Sequence, residues 1–271
     1  MMVQRVRFKI LVNLKGLFLD IMVSKIKIGT INLDWCKKPK IFLDIIKESI
    51  KAQKFDFIVI TENIEDFNFD PSYNTYHSNP IPIEEEYEYL HYGEYLGGKI
   101  PVRVSIYTRH KAICKYKVCD PRTSIAYSFY VGNLVFILYG TIIGTYGIKY
   151  QKELALKELE NFKEDVKYLK AINRNLIIAG DLNTSFINSE THSQLSQINS
   201  RKEILDFAQS ESLNNTTANI SNNIDHIITT NRISEYYKVE VQEFINSESL
   251  KDQYHKGIQI ELTQVKDERA Y

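Results

Sequence analysis

The 271-residue chain has no excess of either charge: Lys+Arg and Asp+Glu are both 34, and the isoelectric point is near 7.0. That balance leaves no whole-molecule field to gather nucleic acid or an anionic membrane, and only a local basic groove would do so. Cysteine is scarce. Cys36, Cys114 and Cys119 are odd in number and have no metal-type spacing. They therefore read as reduced thiols of a cytoplasmic protein, not as a disulfide framework or a zinc site. Long apolar runs are missing as well. Residues 1–21 join Arg5, Arg7 and Lys9 to Ile10, Leu11, Val12 and Leu14, but Lys15 and Asp20 interrupt the stretch and no A-x-A-like site follows. On those grounds neither a signal peptide nor a transmembrane helix is expected there. Residues 1–21 are set aside as an N-terminal extension or an over-long gene start, since Met22 lies just before the first convincing strand. Internal repeats, heptad tracts and linkers are absent too, so residues 22–271 are expected to form one domain. A monomer without a membrane span is the expectation, and 44% hydrophobic residues suffice for a sizeable core.

What the chain does contain is a series of short apolar strands that end in polar residues. The clearest is Asn175–Phe186, N-L-I-I-A-G-D-L-N-T-S-F. Leu176 to Ala179 make a continuous run, as in a strand buried on both faces, and Gly180 ends it. Asp181 and Asn183 follow two apart, on one side if the backbone stays extended. The pair suits an ordinary turn, and equally a metal-bound water or a phosphoryl oxygen. Lys25–Asn32 alternates and then becomes apolar, with Asn32 and Asp34 at its end. Phe55–Ile60 is a second buried strand, followed by Thr61-Glu62.

Between these, Pro39 opens a helix whose apolar face is Phe42, Ile45, Ile46 and Ile50. Asn63–Gly98 is polar and aromatic, and its Tyr87, Tyr89, Tyr92 and Tyr95 could stack on bases or sugars, though they read first as the packing of a long hairpin or lid. Val102–Tyr107 and Ser124–Val131 are expected as neighbours in an antiparallel sheet, and Asn133–Leu138 follows a Gly132-Asn133 turn. Ala155, Leu159, Phe162, Val166 and Leu169 lie at helical spacing within Tyr150–Lys170, an amphipathic helix that covers a sheet. A loop over 187–200 and a short helix over Arg201–Gln209 come next. The last strands are Ile224–Ile228, with Asp225 inside it, and Lys256–Leu262, with His255 just before it.

Asn32, Glu62, Asp181, Asn183, Asp225 and His255 thus share a description: polar groups at or near strand ends. In a layered α/β protein such ends converge on one rim, where ligand sites form. Carboxylates with amide oxygens suit Mg²⁺ or Mn²⁺, and the lack of cysteine in the set argues against zinc. A histidine near a carboxylate suits proton transfer or stabilisation of a charged transition state.

These residues resemble the endonuclease/exonuclease/phosphatase superfamily. Its strand ending T-x-N is matched by Thr30-Ile31-Asn32, its strand ending in a glutamate by Val59-Ile60-Thr61-Glu62, its G-D-x-N by Gly180-Asp181-Leu182-Asn183, and its I-D-x-I by Ile224-Asp225-His226-Ile227. The order holds along roughly residues 25–262. The resemblance implies an α/β (α+β) four-layered sandwich, two packed mixed β-sheets flanked by helices. It implies Glu62 as principal metal ligand with Asn32 and Asp34, Asp181 as orienting or deprotonating the attacking water, and Asn183 as binding the scissile phosphate. His255 would stabilise the phosphate's charge, oriented by Asp225, and Arg122 would face the phosphate. Arg122 also reads as a surface residue of a D-P-R-T turn.

Two positions depart from the family pattern. The terminal S-D-H is replaced by Lys251-Asp252-Gln253-Tyr254-His255. Aligned on Asp252, Gln253 takes the histidine's place; aligned on the strand, His255 does. The second alignment is preferred, because a one-residue slip would turn Ile258, Ile260 and Leu262 to the wrong face. Ile142 stands where many relatives read the histidine of T-H. The expected activity is that of a metal-dependent phosphoesterase, foremost a phosphodiesterase or nuclease, with nucleic acid or a small phosphoester as substrate. The alternative is a catalytically impaired relative that serves as a binding module.

Overall fold

The computed structural model describes residues 25–34, 40–80, 101–144, 152–187, 199–250 and 255–265. Residues 1–21, Pro39, the tyrosines of segment 84–98 and Asp252 to Tyr254 lie outside that set. Strand β1 (Lys25–Asn32) begins as an alternating sequence and ends as an apolar one, and its burial follows, from exposed Lys25 to a fully buried second half. Helix α1 (Lys40–Gln53) leads to β2 (Phe57–Ile64), which runs parallel to β1. Next come β3 (Asn74–His77) and β4 (Pro101–Thr108), both antiparallel within the same sheet. The chain then builds a second sheet from β5 (Cys114–Tyr116), β6 (Ser124–Val131), β7 (Leu134–Ile142), β8 (Leu176–Asp181), β9 (Leu213–Asn215) and β10 (Asp225–Thr230). Helix α2 (Lys152–Ile172) joins β7 to β8, and α3 (Ser200–Ser210) precedes β9. After the short α4 (Asn231–Tyr236) the chain returns to the first sheet with β11 (Tyr237–Ile245), α5 (Ser247–Leu250) and β12 (Gly257–Gln264).

The strand orders are β11-β12-β1-β2-β4-β3 and β5-β6-β7-β8-β10-β9. Each sheet is mixed, with one parallel pair bridged by a helix: β1–α1–β2 in the first and β7–α2–β8 in the second. The sheets pack face to face. Ile28, Val59 and Ile106 of the first meet Phe136, Ile177 and Ile227 of the second. Helix α1 covers the outer face of the first sheet with Leu43, Ile46 and Ile50. Helices α2 and α3 cover the second through Leu159, Phe162, Val166, Ile204 and Phe207. The result is the four-layered sandwich.

Two expectations are corrected. Strands β4 and β6 are not neighbours: they belong to opposite sheets, because β4 pairs with β2 and β3 while β6 pairs with β5 and β7. A run apolar enough for either sheet carries no mark of which one it joins. Helix α1 is rotated from the expected face, burying Leu43 and leaving Ile45 39% exposed. Leu43, Ile46 and Ile50 are spaced i, i+3, i+7, and that stripe fits the sheet. Strand β11, whose residues alternate in burial along an outer position, was not foreseen. Among the described residues no helix is long and apolar enough to cross a membrane.

The arrangement of strands sets the rim. Parallel pairing sends the C-terminal ends of β1 and β2, and of β7 and β8, the same way. Strands β10 and β12 run antiparallel to β8 and β1, so their N-terminal ends arrive at the same place. Holding the two sheets together is a cluster centred on Phe57, edge-on to Phe129 at 4.9 Å and to Phe136 at 5.2 Å. Phe57→Ala opens a cavity between the sheets and is expected to cost about 3–5 kcal/mol of unfolding free energy, read as a lower midpoint in urea denaturation with an unchanged slope.

Candidate active site

Asp181 is the last residue of β8 and is 1% exposed. Its position depends on Gly180, whose φ of +143° lies outside the range of other residues and whose added Cβ would stand 1.9 Å from the Thr141 carbonyl oxygen. The Asp181 carboxylate is held from both sheets. Asn32 Nδ2, from the end of β1, donates to Oδ2 at 2.9 Å, and the Asn183 N–H donates to Oδ1 at 2.7 Å. The Asn183 side-chain amide donates to the Ile143 carbonyl at 2.8 Å and to Asp181 Oδ2 at 3.2 Å. Asn32 Oδ1 in turn accepts the Asp34 N–H at 2.6 Å, so the turn leaving β1 orients the amide.

Across the sheet, Asp225 is the residue paired with Asp181 in the β10–β8 register. Asp225 is fully buried, and its Oδ2 lies 2.9 Å from His255 Nδ1. A carboxylate accepts, so Nδ1 carries the proton in this bond. One donor atom from each of Asp181, Asp225 and His255 lies within 4.8 Å of the others. Glu62, at the rim end of β2, is near enough for its charge to act on Asp181. Burial first, then the Asp225 and Glu62 carboxylates, push the Asp181 carboxyl up to about 8, against the pull of His255 and of the Asn183 N–H.

Backbone strain marks the same residues. Among the described non-glycine residues, Asp34 (φ 40°), Glu62 (φ 47°) and Asn183 (φ 47°) are half of the six with positive φ. Asp and Asn tolerate this region more readily than Glu does, and such strain gathers at working sites. At Glu62 it breaks the strand's alternation. Ile58 and Ile60 face α1, yet Asn63, which strict alternation would send to the other face, also bonds Ser105 Oγ and Tyr107 Oη there, each at 2.9 Å.

The rim thus gathers Asn32, Asp34, Glu62, Asp181, Asn183, Asp225 and His255. Arg122 lies two residues before β6 and next to Thr123, whose carbonyl accepts the Ile142 N–H. Its guanidinium is bonded to Asp120, Nε to Oδ1 and Nη2 to Oδ2, each at 3.1 Å. Two groups had no motif of their own: the Ile143 carbonyl that fixes Asn183, and His226. The His226 ring is fully buried, with Nε2 2.9 Å from the Thr184 carbonyl and Nδ1 2.9 Å from Thr217 Oγ1. Burial pushes it down to about 4.

The donor set fits a divalent cation. It offers carboxylate and amide oxygens, and Asp181 carries a raised pKa that an adjacent positive charge would reverse. Without a cation, Asp181 holds its proton more tightly in the fold than in the unfolded chain. Its contribution to stability is then complete at low pH and is lost as pH rises from the ordinary carboxylate range through about 8. Urea denaturation of metal-free protein is expected to give a lower midpoint at about pH 8 than at about pH 5, with the difference reduced in Asp181→Asn and by added Mg²⁺.

No protein-family model matches the chain, and no curated protein does. Solved structures do match. A 3′ phosphatase, NExo from Neisseria bound to product DNA hairpin, is 13% identical with a TM-score of 0.60, over 88% of this chain and 99% of that one. An AP endonuclease from Archaeoglobus fulgidus is 12% identical with a TM-score of 0.59, over 87% and 98%. An endonuclease/exonuclease/phosphatase family protein from Leptotrichia buccalis C-1013-b is 16% identical with a TM-score of 0.56, over 88% and 99%. This chain has the fold of the endonuclease/exonuclease/phosphatase structures.

Proposed function

We propose that this chain is a divalent-metal-dependent phosphoesterase, foremost a phosphodiesterase or nuclease. The observation that carries the reading is the buried Asp181 carboxylate, bonded to Asn32 and Asn183 and set beside the Asp225–His255 pair. A bond between His255 and Asp225 supports the enzyme over a non-catalytic binding module and supports His255, not Gln253, as the terminal histidine. The fold neighbours include a 3′ phosphatase bound to a DNA hairpin and an AP endonuclease, which supports nucleic acid as the first substrate class to test. Free Cys114 and Cys119 thiols support a cytoplasmic setting.

Glu62, with Asn32 and Asp34, would hold Mg²⁺ or Mn²⁺. Bound there, the cation would supply Lewis acidity toward a phosphoryl oxygen and make water more acidic. Asp181, held by the Asn32 amide and the Asn183 N–H, orients the attacking water and takes its proton. Asn183 offers its amide to a phosphoryl oxygen by giving up the longer of its two contacts, the 3.2 Å one to Asp181. His255, fixed through Nδ1 by Asp225, turns Nε2 to the charge that develops on phosphorus oxygens. Arg122 reaches a phosphate if its bonds to Asp120 are exchanged for phosphate ones.

Hydrolysis of a generic phosphodiester and nicking of plasmid DNA, with Mg²⁺ or Mn²⁺ and with EDTA, test this. Activity is expected with metal only. Glu62→Ala, Asp181→Asn and His255→Ala are each expected to lose on the order of 10²-fold or more in kcat. Turnover that survives in EDTA or in all three variants overturns the reading. Turnover confined to the small ester moves the substrate from nucleic acid to a small phosphoester.

A further inference from the structure

We infer that His226 is a positioning residue that locks the two halves of the proposed site together; this rests on the phosphoesterase reading above. His226 follows Asp225 on β10, and its side chain points away from the rim into the loop that leaves β8. A carbonyl oxygen only accepts, so the 2.9 Å contact to Thr184 places the ring proton on Nε2. Nδ1 then lies 2.9 Å from Thr217 Oγ1, whose one hydroxyl proton is shared between Nδ1 and Asn215 Oδ1 at 3.0 Å. Thr217 Oγ1 also receives the Ile227 N–H at 3.1 Å, which ties the turn before β10 to the strand itself. Phe186 stands edge-on to the ring at 4.7 Å.

The loop that His226 grips is the one that carries Asn183. Thr184, whose carbonyl takes the Nε2–H, is the next residue after Asn183 and its positive φ. Helix α3 braces the same loop from the other side, through Ser200 Oγ on Thr184 Oγ1 and Arg201 Nε on the Ser185 carbonyl, both at 2.7 Å. His226 differs from those braces because it shares a strand with Asp225, the residue that fixes His255. One imidazole therefore adds a tie, beside the Asp181–Asp225 strand pairing, between the amide proposed to hold the phosphate and the pair proposed to stabilise its charge. A shift on the order of 1 Å between such groups is enough to cost about 10²-fold in rate.

The two ring nitrogens can be tested apart. Glutamine places its amide N–H near the position of Nε2 and keeps a donor for Thr184. Asparagine ends near Nδ1, keeps a partner for Thr217 and leaves the Thr184 carbonyl without one. His226→Gln is expected to keep kcat within about threefold, and His226→Asn to lose about 30-fold in kcat with KM within about twofold. Hydrogen exchange of the Asn183 side-chain amide, read by NMR, needs no turnover: it is expected to stay slow in His226→Gln and to speed up about tenfold or more in a folded His226→Asn. Long-range ¹⁵N spectra of the unaltered protein are expected to show the Nε2–H tautomer, whatever becomes of the variants. An Nδ1–H tautomer, a His226→Asn amide as protected as that of the unaltered protein, or equal losses in both variants that follow their melting temperatures would overturn the inference. An unaltered protein that hydrolyses no phosphoester, yet gives the expected exchange and tautomer, fails the functional reading and leaves the positioning role standing.

Discussion

Burying a carboxylate at the seam between two β-sheets is the constraint on which this structure turns. Asp181 gives up its hydration there, a cost that an apolar core would not repay. It receives instead an amide from the first sheet and a backbone N–H and an amide from its own loop. Each of those donors needs a backbone arrangement that ordinary sequence resists. Gly180 must lie where a Cβ would meet the Thr141 carbonyl, and Asn183 must turn through positive φ. Asp34 does the same beside Asn32. The seam is therefore a place where local conformational preference is given up on both sheets at once. Natural sequences break local rules in this way where function requires it.

Much of this could be read from residues. The apolar runs gave the strands β1, β2, β7, β8, β10 and β12 with small errors at their ends, Asp181 and Asn183 were visible as polar groups closing such a run, and Asp225 as one at the start of another. His255 was placed by strand parity, an argument from the two-residue period that the 2.9 Å bond to Asp225 supports. Other features left no mark. Whether β4 joins β2 or β6 depends on pairing between distant segments, and nothing in P-V-R-V-S-I-Y-T encodes the partner. The amphipathic stripe of α1 could be drawn through Ile45 or Leu43, and only the sheet beneath decides between them. Positive φ at Glu62 is invisible in T-E-N-I, because glutamate is not a residue that announces a left-handed turn. His226 filled the open position of a motif, and only its two hydrogen bonds give it a role.

Electrostatics and stability oppose each other at the rim. Asp181 and Asp225 are directly paired in the ladder, and Glu62 adds a third carboxylate within range. Like charges opposite one another weaken a sheet, and burial first, then this repulsion, raises the Asp181 pKa. A divalent cation held at the proposed site would relieve it differently, by binding the folded state alone and stabilising it through mass action. The same three carboxylates thus make the fold weaker where no cation is bound. Around them the core is conventional, with aromatic pairs between the sheets and aliphatic stripes beneath the helices.

Strand β12 has a further consequence, for the order of events in folding. It is not an outer strand: it lies between β11 and β1, and its register pairs Lys25 with Thr263. The first described strand of the chain therefore waits for one of the last before its ladder is complete. Contacts between such distant segments carry a large loop-closure cost and slow the search. During synthesis β1 can dock on β2, but its other flank stays open until β12 arrives, and an open flank invites wrong partners. His255 stands at the head of that strand. The event that closes the first sheet is also the one that delivers the histidine to Asp225, so the order of folding itself keeps the rim incomplete until the sandwich around it has formed.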